Sequence, residues 1–173
     1  MLSPYDLVVS LSDIGRDDVY VVGDKSKGVA EGFVITHRAY FNFLRENNLE
    51  AKISHLLGTV NFDNHDSLSQ VASHIRNLIV SSKIPDNIAY RVFGHYEDLG
   101  SSKVRLRMSI VSGDPVQRQT FWEEVSDIQG DAVLLDTARS LWARLFKPEI
   151  LIYRHMNNIH HIKTGAALLV QKL

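Results

Sequence analysis

The chain has no cysteine among its 173 residues, which excludes disulfides, thiolate nucleophiles and cysteine-ligated zinc. That composition agrees with a reducing cytoplasm, the compartment expected here. An excess of one charge is missing as well. The 19 Lys and Arg residues face 20 Asp and Glu residues, for a net charge of −1, so no global basic field points to nucleic acid or an anionic membrane. No window approaches the roughly 18 apolar residues of a bilayer-crossing helix, and residues 1–6 lack the basic and apolar runs of a secretory leader. The 4 prolines are scattered, and no repeat or low-complexity stretch is visible. What is present, 45% hydrophobic and 23% charged residues, is the composition of one globular domain over residues 1–173, long enough to bury a core.

Periodicity predicts an α+β fold, a mixed sheet packed with several helices. Val19-Tyr20-Val21-Val22 reads as a short strand stopped by Gly23-Asp24, and Phe33-Val34-Ile35 as a second. Thr36 stands where an N-cap belongs, its hydroxyl able to accept from a free amide of the next turn. Ala39, Tyr40, Phe43 and Leu44 then form one helical stripe. Residues 49–57 suggest a shorter helix. Asp66 can cap another, in which Leu68, Val71, Ile75, Leu78 and Ile79 keep the helical period, and Pro85 favours a third start before Ile88, Val92, Tyr96 and Leu99. Lys103-Val104-Arg105-Leu106-Arg107-Met108 alternates with period two, the pattern of a strand with one buried face. Ser112-Gly113-Asp114-Pro115 reads as a turn. Residues 131–146 read as a long helix with Val133, Leu134, Ala138, Leu141, Trp142 and Leu145 inward, and Pro148 opens another through Tyr153 and Met156. Residues 165–170 are apolar on both faces and need neighbours to satisfy and cover them. Because this run ends in Val170-Gln171-Lys172-Leu173 without a turn, the expectation is half of a larger domain or a truncated reading frame, completed by further domains or by a partner chain at that strand.

Several segments resemble, in order, the nucleotide-binding domain of the phosphoenolpyruvate synthase and pyruvate phosphate dikinase family. Val22-Gly23-Asp24-Lys25 resembles its Val-Gly-Gly-Lys turn, and Gly32-Phe33-Val34-Ile35-Thr36 its Pro-Gly-Phe-(Val/Ala)-x-Thr strand. Ala39-Tyr40 with Phe43-Leu44 is similar to its Ala-(Tyr/Phe)-x-x-Phe-Leu helix, and Ile75-Arg76 with Ile79 and Pro85 to its Ile-Arg-x-x-Ile…Pro segment. Leu141-Trp142-Ala143, Leu145-Phe146 and Ile152-Tyr153-Arg154 resemble the diagnostic (Trp/Phe)-Ala-Ser-Leu-Phe…Ile-Ser-Tyr-Arg run, and Val170-Gln171-Lys172-Leu173 the terminal Val-Gln-(Lys/Arg)-Met. The resemblance implies the first lobe of an ATP-grasp domain, taking ATP and Mg2+. In the family that domain passes the β-phosphoryl group to a histidine on a swivelling domain and thence to pyruvate. The second lobe, the phosphohistidine domain and the pyruvate-binding domain have no counterpart here, so the 173 residues alone are not expected to catalyse the transfer.

The resemblance also selects the phosphate-binding candidates Lys25, Arg107 and Ser109. Lys25 follows a glycine turn and can reach phosphate oxygens as a point charge, while turn amides add fixed dipoles. Asp24 replaces the family's second glycine, and roughly ten residues of the helix that follows the lysine are absent, removing an anion-binding dipole. Without the resemblance Gly23-Asp24-Lys25-Ser26 reads as a solvated turn. Arg107 corresponds to the arginine of the family's Val-Arg-Ser-Ser-Ala strand and Ser109 to its second serine; a guanidinium fork can hold a polyphosphate bidentately. Arg105 offers an alternative register and Met108 replaces a serine; without the resemblance, Arg105 and Arg107 lie on a strand face turned into water or onto Asp and Glu partners. Where the family has a Ser-Phe-Ala-Gly…Thr loop, this chain has Thr120-Phe121-Trp122-Glu123-Glu124, bulky and acidic. Glu123, Glu124 and Asp127 could hold magnesium or form an ordinary surface acid cluster. His155, His160 and His161 are spaced as a solvated helix end rather than as a ligand set, and no metal site is expected. Trp142 and Tyr153 fall on apolar stripes and read as core.

Overall fold

The computed structural model describes residues 6–14, 31–100 and 102–173. The expected strand at residues 19–22 and the turn carrying Lys25 lie outside the described residues. Within them the order is β1 (Val8–Ser10), a 3₁₀ turn (Leu11–Asp13), β2 (Gly32–Ile35), α1 (His37–Glu46), α2 (Leu49–Leu57), α3 (His65–Val80) and α4 (Asp86–Asp98). Then come β3 (Val104–Val111), α5 (Pro115–Thr120), β4 (Glu123–Ile128), α6 (Asp131–Ala143) continued by a 3₁₀ turn (Arg144–Phe146), α7 (Pro148–Met156) and β5 (Gly165–Lys172).

Among the described residues the strands form one sheet in the order β1-β2-β5-β3-β4, and every neighbouring pair there is antiparallel. The expectation of a mixed sheet is therefore corrected. A long helical connection between β2 and β3 is what a parallel pair requires, and those two strands do run the same way. However, β5 is inserted between them, antiparallel to both. This also answers the demand of the apolar run at residues 165–170. Its neighbours are β2 and β3 of the same chain, so both edges of β5 are paired and no outside strand completes them.

The helices cover one face of the sheet. Phe33 and Ile35 of β2, Leu106 and Met108 of β3, and Leu168 and Val170 of β5 point into them. There they meet the expected stripe of α1 (Ala39, Tyr40, Phe43 and Leu44), with Leu68, Ile75 and Ile79 of α3 and Leu134, Ala138, Leu141 and Trp142 of α6. Trp142 is the largest fully buried side chain, with its ring centroid 5.7 Å from Tyr40 and 5.3 Å from Phe43. Val133, expected inward, is 49% exposed because it lies off the Leu134–Ala138–Leu141 stripe.

Two cap expectations are also corrected. Asn64, not Asp66, caps α3 by accepting from the Ser67 amide at 3.0 Å. Thr36 occupies the N-cap position of α1 but makes no side-chain cap; its hydroxyl instead donates to the Asp6 carbonyl at 2.8 Å, tying the helix start to the segment leading into β1.

One charge is buried inside the helical layer. Arg154 of α7 is 0% exposed; its Nε donates to Gln117 Oε1 at 2.7 Å and its Nη1 to the Leu145 carbonyl at 2.8 Å. Burial lowers its pKa to about 10. Gln117 in turn donates from Nε2 to Ser112 Oγ at 3.0 Å, so one chain of hydrogen bonds joins α7, the 3₁₀ turn after α6, α5 and the end of β3.

Among the described glycines the tightest space is at Gly32, where a Cβ would stand 2.1 Å from the Val170 carbonyl oxygen of β5. Gly32→Ala is expected to force the β2–β5 ladder apart and destabilise the domain by about 2 kcal/mol or more, read as a lower denaturation midpoint.

Candidate functional site

Strand alternation sends Arg105, Arg107 and Ser109 of β3 to the sheet face opposite the helices. The register pairs Arg107 with Leu169 and Ser109 with Ala167, and directly paired residues share a face. Leu169 and Ala167 form a second, small apolar cluster with Val34, against which Leu11, Ile14 and Val111 pack. Polar groups here therefore sit on a partly dry floor, where charge interactions are stronger than in water.

The two arginines differ in what holds them. Arg105 donates from Nη2 to Gln171 Oε1 at 3.0 Å, and its Nε lies 3.8 Å from Glu124 Oε2. Arg107 stands opposite Glu124 in the β3–β4 register, yet it makes no ion pair among the described residues. Its guanidinium carbon lies 4.7 Å from the ring centroid of Trp122, a cation–π contact with a side chain that is 48% exposed. Ser109, two residues on, is buried. Lys25 lies outside the described residues.

The acidic cluster is dispersed over separate basic partners rather than gathered. Glu123 is gripped by Arg144 and Lys147, Glu124 faces Arg105, and Asp127 meets Lys103 at 3.4 Å. Burial pushes the Glu123 carboxyl up, but the hydrogen bonds from Lys147 and Arg144 outweigh it and hold the group below the usual carboxylate range. Among the described residues no group of three or more His, Asp or Glu is placed to hold a metal ion.

The histidines are more engaged than a solvated helix end. His155 stacks on Phe62 with centroids 3.9 Å apart, and His161 is half-buried near Arg154. Tyr153, expected in the core, is only partly buried; its hydroxyl donates to Asp114 Oδ2 at 2.7 Å, which holds the Asp114 carboxyl below its ordinary range. Sequence reasoning missed the Gln117–Arg154 pair. The signal available was helical period: Arg154 follows the buried Ile150 and Leu151 by four and three residues, on the inward stripe of α7.

Compared with known protein families, residues 23–173 match the family described as pyruvate phosphate dikinase, AMP/ATP-binding domain. The chain belongs to that family. It is 27% identical to the probable phosphoenolpyruvate synthase of Methanothermobacter thermautotrophicus over 197 residues, covering 99% of this chain and 28% of that protein. It is 28% identical to the phosphoenolpyruvate synthase of Helicobacter pylori, covering 93% of this chain and 22% of the other. It is 20% identical to the rifampicin phosphotransferase of Bacillus cereus, covering 96% and 21% respectively. The chain thus spans less than a third of the length of these curated relatives. No helix among the described residues is long and apolar enough to cross a membrane.

The pKa of His161 is lowered to about 4, by burial first and then by Arg154, His155 and His160. A proton therefore binds the unfolded chain more readily, so stability is full above the ordinary histidine value of 6.5 and is lost as pH falls from there toward 4. His161→Gln is expected to flatten that slope, by about 1 kcal/mol given the ring's partial exposure, in urea titrations at pH 7 and pH 4.5.

Proposed function

We propose that residues 1–173 form one unit, the first lobe of an ATP-grasp nucleotide site, and that it works as the ATP-binding portion of a phosphoenolpyruvate synthase-like phosphotransferase. The observation that carries this reading is Arg107. A guanidinium set on a half-dry sheet face, unmatched by any carboxylate among the described residues and beside the buried Ser109, is available to an incoming oxyanion. The neighbouring Arg105 is engaged with Gln171 and Glu124. Family membership and the phosphoenolpyruvate synthases among its relatives support the same direction.

In this reading Lys25 and Arg107 hold phosphate oxygens of ATP, with Ser109 donating its hydroxyl, and Mg2+ neutralises the polyphosphate. Phosphoryl transfer in this reading also needs a second lobe, a phosphohistidine domain and a pyruvate-binding domain, and residues 1–173 bind and orient the nucleotide. This reading implies a cytoplasmic setting, with which a cysteine-free sequence agrees.

A second reading is favoured by one specific feature. Where the family has a glycine loop that lets backbone amides approach the triphosphate, this chain has a bulky acidic turn entering β4, anchored through Glu123 to Arg144 and Lys147. A strand edge fixed in that way does not fold over a ligand. This supports a module that kept the fold, lost nucleotide and now serves binding or regulation.

Calorimetric titration with MgATP separates the two. The nucleotide reading expects micromolar binding that falls at least tenfold in a Lys25→Ala, Arg107→Ala double variant. It also expects a change in Trp122 emission that Trp122→Phe removes. Absence of heat up to millimolar MgATP, from protein shown to be folded, overturns it in favour of the second reading.

A further inference from the structure

Beyond the end of β3 lies an open, shallow cleft of about 380 Å³, lined by Val111, Ser112, Gly113, Ile159, His160, Lys163 and Thr164. Neither Arg107 nor Ser109 lines it. Two stretches build it, the β3–α5 turn and the loop between α7 and β5, brought together by the Val111–Gly165 pairing that closes the ladder.

The polar groups of this cleft are arranged for donation. The Ser112 hydroxyl accepts from the Asp114 amide at 3.1 Å and from Gln117 Nε2 at 3.0 Å. Both of its lone pairs are thereby used, and only its proton remains to offer. Lys163 is exposed and takes part in none of the ion pairs among the described residues. His160 stands on the same rim, its carbonyl oxygen occupied by the Thr164 hydroxyl at 3.0 Å. Gly113 adds bare backbone, since a Cβ built there meets nothing within 4 Å.

Two arginines and one carboxylate surround the cleft. Arg118 lies against its wall, its Nη1 donating to the Ser112 carbonyl at 2.8 Å. Behind Gln117 stands the buried Arg154, which among the described residues has no carboxylate partner and whose Nη2 finds no acceptor there. The acid at the turn, Asp114, directs Oδ1 to the Val116 amide at 2.9 Å and Oδ2 to the Tyr153 hydroxyl at 2.7 Å; these bonds hold it ionised and commit both oxygens to α5 and α7.

We propose that this cleft is a binding site for a phosphate-sized oxyanion, held by the Lys163 ammonium and the Ser112 hydroxyl with His160 at the rim. The buried Arg154 sets the positive potential of its inner wall through Gln117. The proposal is independent of the nucleotide reading, because the two sites share no residue. The same oxyanion chemistry can arrive as free phosphate or as the terminal phosphate of a nucleotide.

The test is an amide NMR titration of the full chain with inorganic phosphate, and then with MgATP. Phosphate is expected to shift the amides of Ser112, Gly113, Lys163 and Thr164 saturably. Lys163→Gln is expected to weaken it at least tenfold, whereas Arg107→Ala leaves it unchanged. Lys52→Gln, a charge loss on the exposed face of α2, serves as the control for net charge. Three outcomes overturn the proposal: no saturable shift, equal weakening by Lys52→Gln and Lys163→Gln, or phosphate binding abolished by Arg107→Ala and kept by Lys163→Gln. That last result would move the oxyanion to the proposed nucleotide site. With phosphate bound in the cleft, MgATP shifting the same amides identifies a nucleotide tail as the natural source; MgATP leaving them in place identifies a free oxyanion.

Discussion

The whole domain depends on the backbone of β5 being satisfied on both sides. Its residues are buried almost throughout, so each amide and carbonyl along it needs a partner. β2 and β3 supply them along both edges. Everything else is arranged around that requirement. The helices between β2 and β3 carry the chain across the face they cover and leave a strand-wide gap for β5 to fill. Gly32 lets β2 come close enough to complete the ladder. The second face then has a narrow apolar floor, on which the arginines of β3 stand beside Leu169 and Gln171.

Much of this architecture was legible in the sequence, and the failures have physical causes. Helices α1 to α4, α6 and α7 were readable because their apolar residues repeat at helical spacing against a polar background, and two begin next to prolines. Strand β3 was readable from its alternation. Strand β4 was not: it has apolar residues only at Val125 and Ile128, three apart instead of two. A register irregularity accounts for this, Val125 pairing with Leu106 and Ile128 with Val104, with Asp127 at φ 59° between them. The six-residue α5 was hidden inside what read as a turn, although Asp114 and Pro115 are an N-cap and a first helical residue. Strand direction was illegible because it is decided by β5, more than 50 residues after β3, and no local pattern encodes which gap a strand enters.

The site was legible in part. Alternation put Arg105 and Arg107 on one face but could not rank them, since they differ only in tertiary partners, Gln171 and Glu124 for one and Trp122 for the other. The acidic residues of β4 looked like one cluster because they are neighbours in sequence. The extended strand separates them in space and hands each to a different base. The buried Arg154 illustrates the opposite problem: a charged residue on an inward stripe is discounted by hydropathy, and the neutral acceptors Gln117 and Leu145, with the Phe146 ring, make its place tolerable.

The contact between Arg107 and Trp122 gives the second face a built-in competitor. An oxyanion that draws the guanidinium off the indole must replace an attraction of about 0.5–1 kcal/mol at such an exposed site. That corresponds to a two- to fivefold reduction in apparent affinity, roughly the fraction of time the arginine is disengaged. The indole thus acts as a weak surrogate ligand, keeping an isolated cation soluble and oriented on a dry floor while yielding to any partner that offers a full negative charge.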